Sequence, residues 1–406
     1  MLILIKSVTW SVALALIITA GLYFSLKLSF PQFKFKRLLK VLITRSEDNP
    51  IKSLFIALAG RIGVGSIAGV ALAIYLAGPG TIFWMWVIAL VTGSLTYAES
   101  YLAIKYKKNI AGPPCYIKYG LGKNKLAIAY ALIVIIAYLI GFIPVQASTV
   151  VKSINLNELI IGPFLFLISL LILKKGIKNV VNLTTKIIPL MGIIYISMTI
   201  YVIIININHL PEVLKIIFQS ALNTKSFFAS FIPMVIVGIQ RGIFSNESGL
   251  GLGAFALGTS KTNNPKSGAL VQVVGIYIVT MVVCTASAIL LLMTPYAGLS
   301  INDINGIEIT KYAFTYHFGD LGSTLLSICI LLFAFSTVLS GYYYTTSSAY
   351  FIIKKHPKIL KILVPLSVLF GSLASPSIIW DLVDIMVGIM AVINIYSLYK
   401  LRKQIK

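Results

Sequence analysis

The chain has 406 residues, of which 34 are Lys or Arg, 11 are Asp or Glu and 3 are His, and 58% of its residues are hydrophobic. Charged residues make up 11% of the chain, against about 25% in an ordinary soluble domain, and the mean hydropathy is +0.95. The 3 cysteines have no CxxC spacing, the histidines are scattered, and neither GxSxG nor GxxxxGK[ST] occurs, which leaves disulfide scaffolds, zinc enzymes, serine hydrolases and nucleotide-driven pumps without sequence support. We therefore expect a polytopic membrane protein that is not an enzyme.

Apolar stretches that qualify as membrane spans, which need about 20 residues each, recur from end to end. In chain order they lie near 7–26, 53–77, 80–104, 126–149, 158–173, 187–206, 227–257, 268–293, 321–348, 359–373 and 376–398. The stretch 227–257 is too polar for one continuous helix, so we treat it as one crossing with a break. The sequence thus predicts eleven spans, and the first ends in a basic loop instead of a small-residue cleavage site.

Lys and Arg are distributed very unequally between the predicted loops. Alternate loops, counted from the N-terminus, hold 5 of them, the other set holds 27, and Arg61 and Arg241 lie inside spans. The positive-inside rule places the richer set in the cytoplasm, which predicts a multi-pass protein of the cell membrane with its N-terminus outside and its C-terminus inside. This clustering also accounts for the net charge of +23 without nucleic acid, which would need one continuous basic face.

Two of the predicted spans are interrupted at matching places. After the first span, the other ten divide into two sets of five, 53–206 and 227–398, and the first span of each set contains Gly and polar residues, at 60–66 and 238–249. Unwound backbone is tolerated at membrane depth only where it is buried in protein or lines a site. Because each set has an odd number of spans, the pattern predicts an inverted repeat around a central binding site. The alternative is that the glycines only allow close helix packing.

At these residues the sequence resembles the alanine/glycine:cation symporter family of bacteria and archaea, from about residue 10 to residue 400. The motifs that carry the resemblance include Gly65-Ser66-Ile67-Ala68-Gly69-Val70-Ala71, Phe83-Trp84-Met85-Trp86, Arg241-Gly242-Ile243-Phe244-Ser245-Asn246-Glu247-Ser248-Gly249 and Phe333-Ala334-Phe335-Ser336-Thr337. The resemblance implies an all-α fold similar to that of the bacterial leucine transporter, with one N-terminal helix before a five-plus-five core. It also implies symport of a small neutral amino acid, alanine or glycine, with sodium by alternating access.

The resemblance further implies a set of substrate-binding residues, which lie in the two breaks and in one neighbouring span. They are Gly63, Gly65, Ser66, Gln146, Phe244, Ser245 and Asn246. Backbone amides of the first break would hold the substrate carboxylate, the glutamine would lie in the pocket, and the phenylalanine ring would cover it.

The resemblance also implies a site for sodium as the coupling ion. The hydroxyls of Ser336 and Thr337 and the carbonyls near Ala59 and Ile62 would ligate the ion, in keeping with the preference of a hard cation for oxygen. No other metal or cofactor is expected, and the implied partners are the amino acid and the lipid bilayer.

The chain departs from the family pattern most sharply at Arg61, where the family usually has threonine. A charge at the bilayer centre costs about 2.5–3.5 kcal/mol on insertion scales, so it normally has a partner. Three roles are open for Arg61. Its guanidinium replaces a coupling cation, which leaves a single-sodium, proton-coupled or uncoupled carrier, or it binds the carboxylate of an acidic or larger substrate. In the third role it forms an ion pair with Glu99 or Glu247.

Two further expectations concern the surroundings of the site. Gly341 stands where the family has tryptophan, which predicts an enlarged pocket. Arg241 and Glu247 flank the second break, and we expect them to pair with each other. A channel would be expected to have pore-lining helices from repeated subunits, and an intramembrane enzyme would need a catalytic constellation that the sequence lacks.

Overall fold

The computed structural model describes residues 2–43, 50–154, 157–224, 227–295, 306–374 and 376–406. Within these ranges the regular structure is helical and contains no strand. The main helices are α1 (Leu2–Lys27), α2 (Phe35–Ile43), α3 (Ile51–Arg61), α4 (Ala68–Ala77), α5 (Thr81–Lys105), α6 (Asn124–Ile154), α7 (Glu158–Lys174), α8 (Ile177–Ile205), α9 (Leu210–Leu222), α10 (Ile232–Asn246), α11 (Leu252–Ala256), α12 (Pro265–Leu292), α13 (Gly306–Phe318), α14 (Leu321–Ile353), α15 (Leu360–Leu373) and α16 (Pro376–Lys400).

Each predicted span contains one helix or a pair of helices. Among the described residues, seven helices are long and apolar enough to cross a membrane, and α3 with α4, bent by 70° at their junction, would make an eighth. The protein is therefore an all-helical, multi-pass membrane protein. The remaining predicted spans correspond to α7, to α10 with α11, and to the shorter apolar helix α15, so the count of eleven crossings stays a prediction.

Several helices lie where the hydropathy pattern indicated loops. Helix α8 begins at Ile177, about ten residues before the predicted span, so Lys178 and Lys186 lie on a helix. Hydropathy detects only the part of a helix that is long and apolar enough to lie in lipid. The first turns of α8 are held instead by the protein, where Val180 and Thr184 are buried. Helices α2, α9 and α13 were likewise expected to be loops.

The two broken helices lie at the centre of the molecule. Helix α3 packs against α11 and α14, and α10 packs against α4 and α5. The crossing of α10 and α5 is close, because a side chain at Gly238 would come within 2.6 Å of the carbonyl oxygen of Thr81. Helix α1 packs against α5 and α16.

Candidate functional site

The first break separates α3 from α4. Helix α3 ends at Arg61, the chain unwinds through Ile62 and Gly63, and one 3-10 turn precedes α4. The unwinding leaves the amide of Val64 without a helical partner, and the side-chain oxygen Oε1 of Gln146 accepts its hydrogen bond at 3.1 Å. The predicted pocket residue Gln146 therefore contacts the unwound backbone directly.

The second break separates α10 from α11. Helix α10 ends at Asn246, and Glu247 follows in the left-handed conformation with φ of 55°, which is uncommon for a residue other than glycine. Gly249 and Gly251 also have positive φ, at 84° and 80°, a conformation that glycine adopts without strain because it has no Cβ. The side chain of Asn246 stabilises the turn by accepting a hydrogen bond from the amide of Ser248 at 3.0 Å.

The two breaks touch each other. The hydroxyls of Ser66 and Ser245 are hydrogen-bonded at 2.8 Å, and a Cβ added to Gly65 would lie 2.8 Å from the ring of Phe244. That ring stacks on Phe142, with 5.7 Å between the centroids, and only 8% of Phe244 is exposed. The structure thus brings residues predicted from both breaks into one buried group.

Three of the four residues predicted to bind sodium also meet. Thr337 Oγ1 donates to the carbonyl oxygen of Ala59 at 3.0 Å, and Ser336 Oγ donates to the same oxygen at 3.4 Å. No described contact joins Ile62 to them, but a side chain at Gly63 would lie 2.7 Å from Thr337 Oγ1. Because a hydroxyl oxygen also has acceptor lone pairs, both side chains can rotate their O–H groups away from Ala59 and present a lone pair to a cation.

The guanidinium of Arg61 is buried between α11 and α12. It donates from Nη1 to the carbonyl oxygen of Gln272 at 3.1 Å, and it occupies the space beside Gly253 and Gly275. A Cβ at either glycine would come within 2.2 Å of Nη2 or 2.6 Å of Nη1. The side chain is 2% exposed, and its Nε has no hydrogen-bond partner in the described part of the chain.

Two buried carboxylates lie within electrostatic range of Arg61 and are held by neutral donors. Glu99 Oε1 accepts from Asn394 Nδ2 at 2.6 Å and from the amide of Gly251 at 3.1 Å. Glu247 Oε1 accepts from the hydroxyl of Tyr138 at 3.2 Å. Among the described residues neither carboxylate forms an ion pair within 4 Å, so the ion pair considered for Arg61 does not form.

The expected pair of Arg241 and Glu247 is also wrong for the described chain. The guanidinium of Arg241 lies over the ring of Trp380, 5.1 Å from its centroid. The left-handed turn at Glu247 directs its carboxylate toward Tyr138 on α6, whereas Arg241 faces α16.

Comparison of the sequence with known proteins shows the family of the chain. The profile described as "Sodium:alanine symporter family" matches residues 1–406. The chain belongs to the sodium:alanine symporter family. It is 33% identical to "Amino-acid carrier protein AlsT" of Bacillus subtilis, over 95% of this chain and 86% of the relative, and 33% identical to "Sodium/alanine symporter AgcS" of Methanococcus maripaludis, over 97% and 92%. It is 32% identical to "Probable sodium/glutamine symporter GlnT" of Bacillus subtilis, over 97% and 86%. This is a family of amino-acid transporters and not of enzymes.

At position 341 this family member does not gain the space that its glycine predicts. A Cβ at Gly341 would come within 2.7 Å of the ring of Tyr138, so the tyrosine of α6 fills the volume that an indole on α14 would need. The expected enlargement of the pocket is therefore wrong, because a departure from the family pattern at one position does not show which neighbour fills the space.

The sequence analysis missed polar residues of α12 that support both breaks of this symporter-family chain. Ser287 Oγ donates to the carbonyl oxygen of Ser66 at 2.7 Å, the Cys284 thiol lies 3.1 Å from Ser245 Oγ, and Asn246 donates to Thr280 Oγ1 at 3.4 Å. Residues 277–284 form a π-helical segment, and such segments recur at functional sites. Four hydroxyl- or thiol-bearing residues within eight positions of an otherwise apolar span, Thr280, Cys284, Thr285 and Ser287, were the available signal.

Proposed function

We propose that the protein is a secondary transporter that carries a small neutral amino acid, alanine or glycine, together with sodium by alternating access. The observation that carries this proposal is the contact between two unwound helix breaks through Ser66 and Ser245. Relatives named as a sodium/alanine symporter and as an amino-acid carrier support sodium and a neutral amino acid.

The first break supplies donors for an amino-acid carboxylate. The amide of Val64 and the positive end of the α4 dipole suit an anion, and Gln146 now occupies that amide. An incoming carboxylate takes the hydrogen bond of Val64, which frees Oε1 of Gln146 to accept one from the substrate ammonium group. The ring of Phe244 closes on Gly65 and restricts the site to a short side chain.

The candidate sodium site joins the first break to α14. An ion held by Ser336, Thr337 and the carbonyl of Ala59 draws α3 and α14 together. Because Thr337 faces Gly63, sodium at this place stabilises the same unwound backbone that binds the carboxylate. This shared segment is the physical basis that we propose for coupling the two solutes.

The transport cycle that we propose uses the predicted topology. Eleven crossings place the N-terminus outside and the C-terminus in the cytoplasm, and residues 53–206 and 227–398 form two halves of opposite orientation. The loop distribution of 5 against 27 basic residues supports this orientation in the cell membrane. Rocking of the two halves about the central breaks then exposes the site to one side at a time.

Uptake of radiolabelled alanine into proteoliposomes tests this function. We expect accumulation with an inward sodium gradient and none above empty liposomes when potassium replaces sodium. Equal uptake under both conditions would refute sodium coupling, and no uptake of alanine or glycine by folded protein would refute the substrate class.

Arg61 acts, we propose, as a fixed internal cation beside Glu99 and Glu247. Its guanidinium lies beside Gly253 and Gly275 and donates to the carbonyl of Gln272, and no described contact joins it to a residue of the candidate substrate site, which favours this role over binding a substrate carboxylate. The expected result is a Hill coefficient for sodium near one in the wild type and a higher one in Arg61→Thr, whose two carboxylates then require a mobile cation. Unimpaired alanine uptake by Arg61→Lys, which keeps the charge but loses the planar fork, would agree with the cation role; inhibition of wild-type uptake by glutamate would contradict it.

A further inference from the structure

A groove of about 540 Å³ opens between α1 and α16 at the surface of the helix bundle. Leu16, Ala20 and Tyr23 line one wall, and Val392, Tyr396 and Tyr399 line the other. Both stripes repeat at intervals of three to four residues, so each is one face of a helix. The walls run for about 10 Å along the helix axes, which is most of the depth of one lipid leaflet.

The groove ends in a cluster of basic side chains. Lys400 lies 5.8 Å and Lys123 4.8 Å from the centre of the Tyr396 ring, and Arg402 lies 4.2 Å from that of Tyr399. Lys27, at the end of α1, donates a hydrogen bond to the carbonyl oxygen of Arg402. Three of the four cations thus lie beside tyrosines that line the groove, and Lys27 contacts the backbone of Arg402.

This basic cluster has no counter-charge within the described residues. None of its four cations forms an ion pair there, and residues 100–125 and 385–406 contain no Asp or Glu. Like charges held this close repel one another unless an anion lies between them. The four residues belong to loops that the charge distribution assigns to the cytoplasmic side, where the membrane surface itself is anionic.

We propose that the groove binds one anionic glycerophospholipid, with an acyl chain between α1 and α16 and its phosphate among Lys27, Lys123, Lys400 and Arg402. The apolar walls suit the acyl chain, the hydroxyls of the lining tyrosines can donate to the ester oxygens, and the cations match the headgroup charge. A zwitterionic lipid fits the same walls but leaves the cations uncompensated. The lipid therefore stabilises the contact of the N-terminal helix with the core, independently of the proposed substrate.

Native mass spectrometry of the full chain tests this proposal, with phosphatidylglycerol and phosphatidylcholine of identical acyl chains as probes. We expect wild-type protein to bind one phosphatidylglycerol at least tenfold more tightly than phosphatidylcholine, equivalent to about 1.4 kcal/mol. The double variant Lys400→Gln, Arg402→Gln loses most of this preference. The double variant Lys355→Gln, Lys358→Gln, which removes the same charge from an exposed loop elsewhere, keeps it.

A second variant tests the walls without altering charge. Ala20→Phe fills the groove from α1 and is expected to weaken the binding of both lipids, while the unfolding temperature confirms that the protein remains folded. Equal affinity of the wild type for the two lipids, or an equal loss of preference in both double variants, would overturn the proposal. So would a dimer of the wild type that Ala20→Phe dissociates, since the groove would then hold a second copy of the chain.

Discussion

Substitution of Gly65 by alanine tests whether the two breaks must close on each other. The new Cβ would lie 2.8 Å from Cε1 and 2.9 Å from Cδ1 of Phe244. The Phe244 ring cannot move aside freely, because Phe142 stacks on it at 5.7 Å and Trp380 lies against it at 5.1 Å between centroids. The added methyl group therefore forces the first and second breaks apart.

The size of the effect follows from the overlap. Carbon atoms in contact sit about 3.5–4.0 Å apart, so the ring has to move by nearly an ångström. Overpacking of this kind costs about 1–3 kcal/mol in a well-packed interior. If the cost falls on the state in which Phe244 covers the site, alanine uptake in Gly65→Ala decreases by roughly fivefold to one hundredfold.

The assay is sodium-driven alanine uptake in proteoliposomes, with the unfolding temperature measured on the same preparation. Gly69→Ala is the matched control, because a Cβ at Gly69 meets nothing within 4 Å and the position lies in α4. We expect control uptake at the wild-type level, and partial recovery of Gly65→Ala when Phe244→Leu removes the overlapping ring. Wild-type uptake by Gly65→Ala would refute the inferred closure of Phe244 over this backbone.

Three further predictions concern ion binding, helix docking and pH. Thr337→Val removes one proposed sodium ligand and should raise the sodium concentration for half-maximal uptake at least tenfold, whereas Thr345→Val, whose hydroxyl bonds only within its own helix, should not. Lys6→Gln breaks the ion pairs that join α1 to Asp381 and Asp384, at 2.7 and 3.0 Å. Because these pairs are partly exposed, the free energy of unfolding should fall by about 1 kcal/mol or less. A larger loss would show that solvent screens the pairs less than their exposure suggests. Burial lowers the pKa of His317 in the folded protein, so at a pH near the ordinary histidine pKa of about 6.5 the unfolded chain binds more protons than the folded one. Thermal stability should therefore decline as the pH falls below about 6.5. An unchanged decline in His317→Gln would exclude this residue as its source.

The broad architecture could be predicted from the sequence because long apolar runs have few alternatives in a membrane. Spans such as 80–104 and 268–293 agree with α5 and α12 within three residues at each end. The helical extension before residue 187 could not be predicted, since it depends on packing of α8 against protein and not on lipid.

The site could be predicted only in part, for a related reason. The glycines of the first break predict unwound backbone from local chemistry alone, and the family motifs identify Gln146 and Thr337. What fills a space is a tertiary property: Tyr138 occupies the volume beside Gly341, and the carbonyl of Gln272, a helix away, holds Arg61. Neither contact can be predicted from the sequence around Gly341 or Arg61.

The hydrogen bonds of the candidate site bear on which chemical group of a substrate it binds in the function that we propose. In this structure the breaks satisfy their own polar groups, because Gln146 holds the amide of Val64 and Ser66 holds Ser245. A substrate therefore exchanges hydrogen bonds instead of adding them, and each exchange gains little unless the new acceptor is charged. A carboxylate meets that condition at Val64, whereas a neutral ligand of the same size does not. With the carboxylate bound as we propose, the arrangement selects for the zwitterionic end of an amino acid, and we expect alaninamide, which lacks the carboxylate, to compete at least tenfold less well than alanine for uptake.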